Sequence, residues 1–203
     1  MPDSPQTRQT LLLRLRDPAD AAAWSDFVSD YGPMLYRFVR SRGLQDADTA
    51  DLVQDVLRSV GGAIGRFEHD GRDGGFRGWL FKITRNKLST HFQQKVRRGP
   101  TANDTAQHEL LKHAPSGEES ELERSWELEY QRLLAAKAFA IVEAAVDVST
   151  WQAFHRTTVD GASAEEVAKE IGMSRGAVYV AKSRVIARLR EEIERLQAEE
   201  ESP

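Results

Sequence analysis

The 203-residue sequence has no cysteine, which excludes a disulfide framework, a thiolate metal site and a cysteine nucleophile. No apolar run approaches the roughly 18 residues that a membrane span requires. The apolar stretch Leu11–Leu13 is too short for the core of a signal peptide. We therefore expect a cytoplasmic protein without membrane insertion. Valine-rich segments that alternate with period two are also missing, so the pattern predicts an all-α fold.

Patterns typical of catalysis are missing too. His108 and His113 lie five positions apart, whereas two imidazoles that share one zinc ion on a helix need a spacing of four. The sequence contains neither a Gly-x4-Gly-Lys phosphate loop nor a nucleophile elbow. We predict that the protein is not an enzyme and has no catalytic residues, metal, cofactor or small-molecule substrate.

The formal net charge of -4 hides two basic stretches. Phe76–Arg98 holds seven lysines and arginines without a carboxylate, and Ser174–Arg190 holds five. Residues 100–130, between them, carry eight acidic and two basic groups. Two local basic stretches on an acidic chain favour two separate contacts with a polyanion. The alternative interpretation is two ordinary solvated helix faces.

Helical periodicity runs through the first half of the chain. Apolar residues recur from Trp24 to Tyr31 and again from Leu35 to Val39, with Pro33 placed to open the second of two helices. A third helix begins near Asp46, the predicted cap, and a glycine-rich loop spans Glu68–Gly75. The next helix starts at Phe76 and has one polar face, made of Lys82, Arg85, Asn86, Ser89 and Gln93.

The segment from Arg97 to Ser125 is rich in Gly, Pro and Glu and is predicted to be a flexible linker. Beyond it, Ser163 and Glu166 have the spacing of a capping box that opens a short helix. Gly172 then begins a turn, and Ser174 can cap a basic helix with the inner face Val178, Ala181, Val185 and Leu189. The pattern predicts two small helical domains joined by the linker, and the C-terminal domain is a helix-turn-helix.

Three segments, Asp48–Leu57, Phe76–Leu88 and Ala164–Leu189, resemble in this order RNA polymerase sigma factors of the extracytoplasmic-function (ECF) type. The resemblance implies a sigma region 2, which binds core polymerase, melts the promoter and recognises its downstream hexamer, and a helix-turn-helix region 4, which recognises the upstream promoter element. The predicted boundaries are a tail at 1–19, region 2 at 20–98, an acidic linker at 99–129, region 4 at 130–192 and an acidic tail at 193–203.

The resemblance also assigns residues to three contact surfaces. The polymerase-binding residues are Asp51, Leu52, Gln54 and Asp55. The DNA-binding residues of region 2 are Phe76, Arg77, Trp79, Lys82, Arg85, Asn86 and Ser89, with Glu68–Gly75 as the pocket for a flipped base. The DNA-binding residues of region 4 are Ser174, Arg175, Gly176, Ala177, Tyr179, Lys182, Ser183, Arg184 and Arg188. The implied partners are core RNA polymerase, promoter DNA and, as a family expectation, an anti-sigma factor.

The first residues of a recognition helix reach base edges, and later cations favour phosphates. We therefore expect base reading by Arg175, Tyr179 and Lys182, with thymine methyl contacts by Ala177 and Val180. Two rival functions stay open at this point. One is a helix-turn-helix regulator that acts without binding polymerase, and the other is an adaptor that binds only protein.

Overall fold

The computed structural model describes residues 8–68, 75–97 and 116–201. Within those ranges there is no strand, and the prediction of an all-α fold is confirmed. No helix in the same ranges is both long and apolar enough to cross a membrane. The helices are α1 (Arg8–Arg14), α2 (Ala21–Arg40), α3 (Asp46–Ala63), α4 (Gly75–Arg97), α5 (Ser116–Ala145), α6 (Val148–Thr158), α7 (Ala164–Ile171) and α8 (Arg175–Glu201), with a 3-10 turn at Ile64–Arg66 after α3.

The chain divides into two compact units. The first comprises the described residues up to Leu133 together with those from Glu199, and the second is Leu134–Ala198. Several predicted features lie outside the described residues: positions 69–74 of the base-pocket loop, positions 98–115 of the linker, and with them His108 and His113.

The predicted helix boundary at Pro33 is wrong, because α2 runs through this residue without interruption. Pro33 is exposed to solvent, and the residue before it is Gly32, which has no Cβ to clash with the proline ring. The buried stripe that includes Phe27, Tyr31 and Phe38 lies on the other side of the helix. Burial of this stripe outweighs the backbone hydrogen bond that the proline removes.

Asp46 does not cap α3, contrary to the sequence prediction. The cap position is Gln45, whose side chain makes no capping hydrogen bond. The Asp46 carboxylate instead accepts hydrogen bonds from Arg40 Nε at 2.7 Å and from the Tyr36 hydroxyl at 3.2 Å. The hydrogen bond from Arg40 holds the pKa of Asp46 below its ordinary value. A carboxylate in the first turn also suits the positive end of the helix dipole.

The core of the first unit is built from α2, α3 and α4. Phe27, Phe38, Val56, Phe76 and Leu80 are almost fully buried there. α1, which precedes these helices, contributes the buried Leu11 and is followed directly by the buried Leu15. Its last residue, Arg14, makes a two-pronged ion pair with Asp20, whose carboxylate also accepts the Ala23 N–H at 2.9 Å.

α5 begins at Ser116, inside the segment predicted as linker, so 116–129 is helical in the structure. Leu122, Trp126 and Tyr130 repeat every four residues on this helix, and all three are buried within the first unit. The acidic composition of the segment concealed this stripe, because glutamates occupy three of the six positions between the buried residues.

The second unit contains α6, α7 and most of α8. The capping box is present: Ser163 Oγ accepts the Glu166 N–H at 3.2 Å, and Glu166 accepts the Ser163 N–H at 2.9 Å. Gly172 follows α7 with φ of 70°, a left-handed turn that suits glycine. The core cluster of this unit is Ala153, Val167, Ala168, Val178 and Ala181.

Candidate functional site

The residues predicted to bind polymerase lie on α3, and three of the four share its solvent-facing side. Asp51 and Gln54 are exposed, and Asp55 is half-exposed and pairs with Arg58 at 2.5 Å. Leu52 is 4% exposed and lies in the core, so its side chain is unavailable to a partner. The surface of α3 is therefore polar, and Asp51 is its carboxylate with the greatest freedom to meet a basic group.

Two aromatic residues of α4 have different surroundings. Phe76 is 1% exposed and packs edge-on against Phe27 and Tyr31, at ring distances of 5.9 and 5.6 Å, so it is a core residue. Trp79 is half-buried and lies beside Phe67, with ring centroids 5.0 Å apart. Of the two, Trp79 retains the exposed ring surface that an unpaired base needs for stacking.

The polar face of α4 has the arrangement that the helical periodicity predicts. Lys82 and Asn86 are exposed, and Arg85 and Ser89 are half-exposed. Gln93 is exposed one turn further on and donates a hydrogen bond to Ser89 Oγ at 3.2 Å. This face combines positive charge with amide and hydroxyl groups, which is the chemistry that contacts phosphates and base edges.

Arg77, also predicted to bind DNA, lies against α5. Its guanidinium pairs with Glu127 at 2.5 Å and lies over the Tyr130 ring, 5.0 Å from the centroid. Both partners lie at the predicted boundary between linker and region 4, and the contact was not predicted from the sequence. The available signal was the four-residue repeat of apolar residues that precedes Tyr130.

The base-pocket loop has a described contact at its start. Arg16 donates a hydrogen bond to the Phe67 carbonyl at 2.9 Å, across 51 positions of sequence. Phe67 in turn packs on Trp79, as described above. Arg16 belongs to the segment predicted as a tail, and no sequence signal indicated that it reaches the start of the loop.

The predicted recognition helix is α8. Ser174 Oγ accepts the Ala177 N–H at 3.1 Å, so the predicted cap is formed. Arg175 and Tyr179 are exposed and in contact, with the guanidinium 5.9 Å from the ring centroid. A hydrogen bond with the Tyr179 side chain is the main cause of a raised Arg175 pKa.

The other predicted contacts of α8 vary in exposure. Gly176, Ser183 and Arg184 are exposed, while Ala177 and Lys182 are half-exposed. Val180, predicted for a thymine methyl contact, is 59% exposed, so its side chain is open to a partner. One exposed face of α8 thus carries cations and apolar groups together, as a major-groove helix requires.

Arg188 differs from the other predicted contacts because it already has a structural role. It donates a hydrogen bond to the Ala145 carbonyl at 3.0 Å, and Ala145 is the last residue of α5. A cation at the C-terminal end of a helix satisfies a free carbonyl and suits the dipole. Arg188 is therefore a capping residue in the second unit.

The described residues contain no group of three or more His, Asp or Glu side chains that could hold a metal ion. The candidate surfaces are made of charged, amide and aromatic side chains.

The chain is similar to proteins of known class. Residues 27–98 match the family model described as Sigma-70 region 2. The chain is 29% identical over 180 residues to the RNA polymerase sigma factor NccH of Alcaligenes xylosoxydans xylosoxydans, covering 88% of this chain and 90% of the relative. It is 28% identical over 184 residues to the ECF RNA polymerase sigma factor ShbA of Streptomyces griseus, covering 84% and 87%.

Among solved structures, the chain is similar to CnrH in complex with the cytosolic domain of CnrY. The identity is 22%, the coverage is 92% of this chain and 96% of that one, and the TM-score is 0.36. The Sigma-70 region 2 match spans α2 to α4 and contains the surfaces of α3 and α4 described above.

Proposed function

Because the chain belongs to the extracytoplasmic-function family of RNA polymerase sigma factors, we propose that it binds core RNA polymerase and carries it to specific promoters, where it assists strand opening. It acts as a binding subunit, and the transcription chemistry is that of the polymerase. The observation that carries the proposal is that the part of the chain that matches Sigma-70 region 2 has two exposed surfaces of different charge. One is the polar face of α3 and the other is the basic face of α4.

The α3 face is the proposed polymerase contact. Asp51 is exposed and, among the described contacts, has no cation paired with it, so its charge is available to a basic partner. Complementary charges of this kind set the association rate and the specificity of a protein interface. Leu52 supports the helix from the core and is not a contact residue.

The α4 and α8 faces are the proposed DNA contacts. Lys82, Arg85 and Asn86 are placed to bind the strand near the melted region, where Trp79 offers a surface for stacking an unpaired base. Arg175 and Tyr179 begin α8, where a recognition helix reaches base edges. Two separate basic faces suit two promoter elements.

The family resemblance also predicts an anti-sigma factor as a further partner. It would control the chain by competing with polymerase. Among solved structures, the chain is also similar to one described as the RsbN–BldN complex, at 18% identity and a TM-score of 0.35.

Titration of fluorescently labelled protein into sigma-free core polymerase at fixed salt tests the polymerase contact. Asp51→Lys reverses the charge at the proposed contact, and we expect binding to weaken at least tenfold, because like charges facing each other cost several kcal/mol. The matched control is Asp26→Lys, the same reversal at an exposed position of α2. Failure of the folded wild type to bind would refute the function, and equal losses in both variants would refute the location.

A further inference from the structure

The part of α5 that belongs to the first unit packs on that unit through an aromatic anchor. We call residues 121–133 the strap. Trp126 is 4% exposed and packs edge-on against Phe38, with ring centroids 5.0 Å apart, and against Phe81 at 5.3 Å. Leu122 and Tyr130, one turn on either side of Trp126, are buried as well. Three anchors at four-residue spacing fasten this part of the helix along one face.

Ion pairs flank the aromatic anchor. The Glu129 side chain is 8% exposed and accepts Arg37 Nε at 2.6 Å. Arg132, one turn along the strap, also donates to Glu129. On the α4 side, Glu127 pairs with Arg77 at 2.5 Å. The strap therefore presents carboxylates to arginines of α2 and α4, as the phosphates of a nucleic acid would.

We propose that the strap is an autoinhibitory element that withholds Arg77 from DNA until it is released. The inference rests on the proposed function and on the sequence prediction that Arg77 is one of the DNA contacts of region 2. The Glu127 carboxylate occupies Nη1 of this guanidinium and the Tyr130 ring covers one of its faces, so the strap takes part of the side chain that a phosphate would bind, while 36% of the side chain stays exposed. DNA and the strap therefore compete for the same side chain.

Unfavourable contacts lower the stability of the docked strap and so favour its release. Arg42 Nε and Trp126 Nε1 are buried without a hydrogen-bond partner among the described residues. Each such donor has lost its hydrogen bond to water without gaining one in the protein, which disfavours the docked state. Arg42 does donate to Ser125 through another nitrogen, and burial lowers the pKa of its guanidinium. These penalties offset part of the aromatic burial, as a contact that opens during activation requires.

Matched charge changes on the strap test the competition. Glu127→Gln frees Arg77, whereas Glu123→Gln removes the same charge from an exposed position of the same helix. The probe is a fluorescein-labelled 30-base-pair duplex titrated with full-length protein at several salt concentrations. We expect Glu127→Gln to bind severalfold more tightly than Glu123→Gln. We also expect the slope of log K against log salt to steepen by about 1, the value for one added phosphate contact.

The double variant Arg77→Ala/Glu127→Gln assigns the gain to the arginine. It should bind the duplex no more tightly than Glu123→Gln. Equal affinity and slope for Glu127→Gln and Glu123→Gln would overturn the proposal. A gain that persists without Arg77 would overturn it as well.

Strap opening can be measured directly because the chain contains no cysteine. Ser125→Cys places a near-isosteric thiol at the docked face, and Glu123→Cys places one on the solvent side. We expect Ser125→Cys to react with a maleimide at least tenfold more slowly in the unbound protein, and to accelerate when the duplex is added. Equal rates for the two thiols, or no acceleration with DNA, would overturn the proposal.

These outcomes are distinguishable from failure of the proposed function. A protein that binds core polymerase but shows no difference between Glu127→Gln and Glu123→Gln refutes the strap and leaves the sigma function intact. A protein that does not bind polymerase refutes the sigma function, and the duplex titration and thiol rates still decide whether the strap masks Arg77.

Discussion

Truncation of Trp126 tests whether the first half of α5 packs on the first unit in solution. Replacing a buried tryptophan with alanine costs about 3 to 5 kcal/mol through lost contacts and the cavity left behind. Here the lost contacts are those with Phe38 and Phe81. The indole N–H is buried without a partner among the described residues, so its removal recovers about 1 to 3 kcal/mol. The net expectation for Trp126→Ala is a destabilisation of about 2 kcal/mol.

The assay is urea unfolding followed by circular dichroism, with Trp126→Phe as the control. With a dependence of about 1 to 3 kcal/mol per molar urea, Trp126→Ala should lower the midpoint by about 1 M. Trp126→Phe keeps an aromatic ring and removes the partnerless N–H, so its midpoint should stay near the wild-type value. An unchanged midpoint for Trp126→Ala would refute the packing and restore the linker interpretation of residues 121–129.

Three further predictions concern the other elements. Ser163→Ala removes the side-chain acceptor that caps α7 and should lower the free energy of unfolding by about 1 kcal/mol, seen as a lower Tm; an unchanged Tm would count against the capping box. The pKa of Asp20 is lowered to about 2, chiefly by a hydrogen bond from Arg14, so its stabilisation is full above the ordinary value of 3.8 and is lost as the pH falls toward 2. Urea unfolding from about pH 5 to pH 2.5 should therefore show a steeper loss for wild type than for Asp20→Ala, and parallel curves would contradict this. Arg175→Ala should reduce promoter affinity by about 1 to 3 kcal/mol and relax base preference at one position, whereas Arg184→Ala should weaken all sequences alike and lower the salt slope by about 1; identical effects on preference would refute the division of roles.

The spacing of residues along the chain predicted the helix caps and buried faces correctly where no distant side chain competed for the same group. Ser163 and Glu166 form the expected capping box, and Ser174 caps α8. The inner face of α8, represented by Val178 and Val185, is buried. These features depend on residues within one or two turns of each other, so spacing along the chain is sufficient to find them.

The sequence prediction was wrong where a residue could take a second structural role that fitted its neighbours equally well. Pro33 suits the first turn of a helix, but Gly32 before it and a continuous buried stripe allow α2 to run through. Asp46 suits a cap, but Arg40 and Tyr36 offer it charged and hydroxyl donors. For Pro33 the neighbouring glycine and the buried stripe of α2 decided the outcome, and for Asp46 the two donor side chains on α2 did.

The candidate contact residues show the same division. Their helical phase placed Asp51, Lys82 and Asn86 on exposed faces, as the structure has them. Phase alone could not show that Arg188 caps α5, since the Ala145 carbonyl lies 43 positions away. The sequence is therefore sufficient to locate the three surfaces proposed for polymerase and DNA. The tertiary contacts show which of the predicted residues have a structural role instead.

The amino-acid sequence by itself determined the helical class, the starts of α3, α4, α7 and α8 and the phase of their amphipathic faces, because these follow from the 3.6-residue period and from local capping. It also carried the family resemblance. Only the tertiary structure decided which faces meet. The pairing of Arg77 with Glu127 joins residues 50 positions apart, and the packing of Trp126 on Phe38 joins elements that share no local signal. Such contacts depend on the complementary shape and charge of two distant surfaces, which no spacing along the chain encodes.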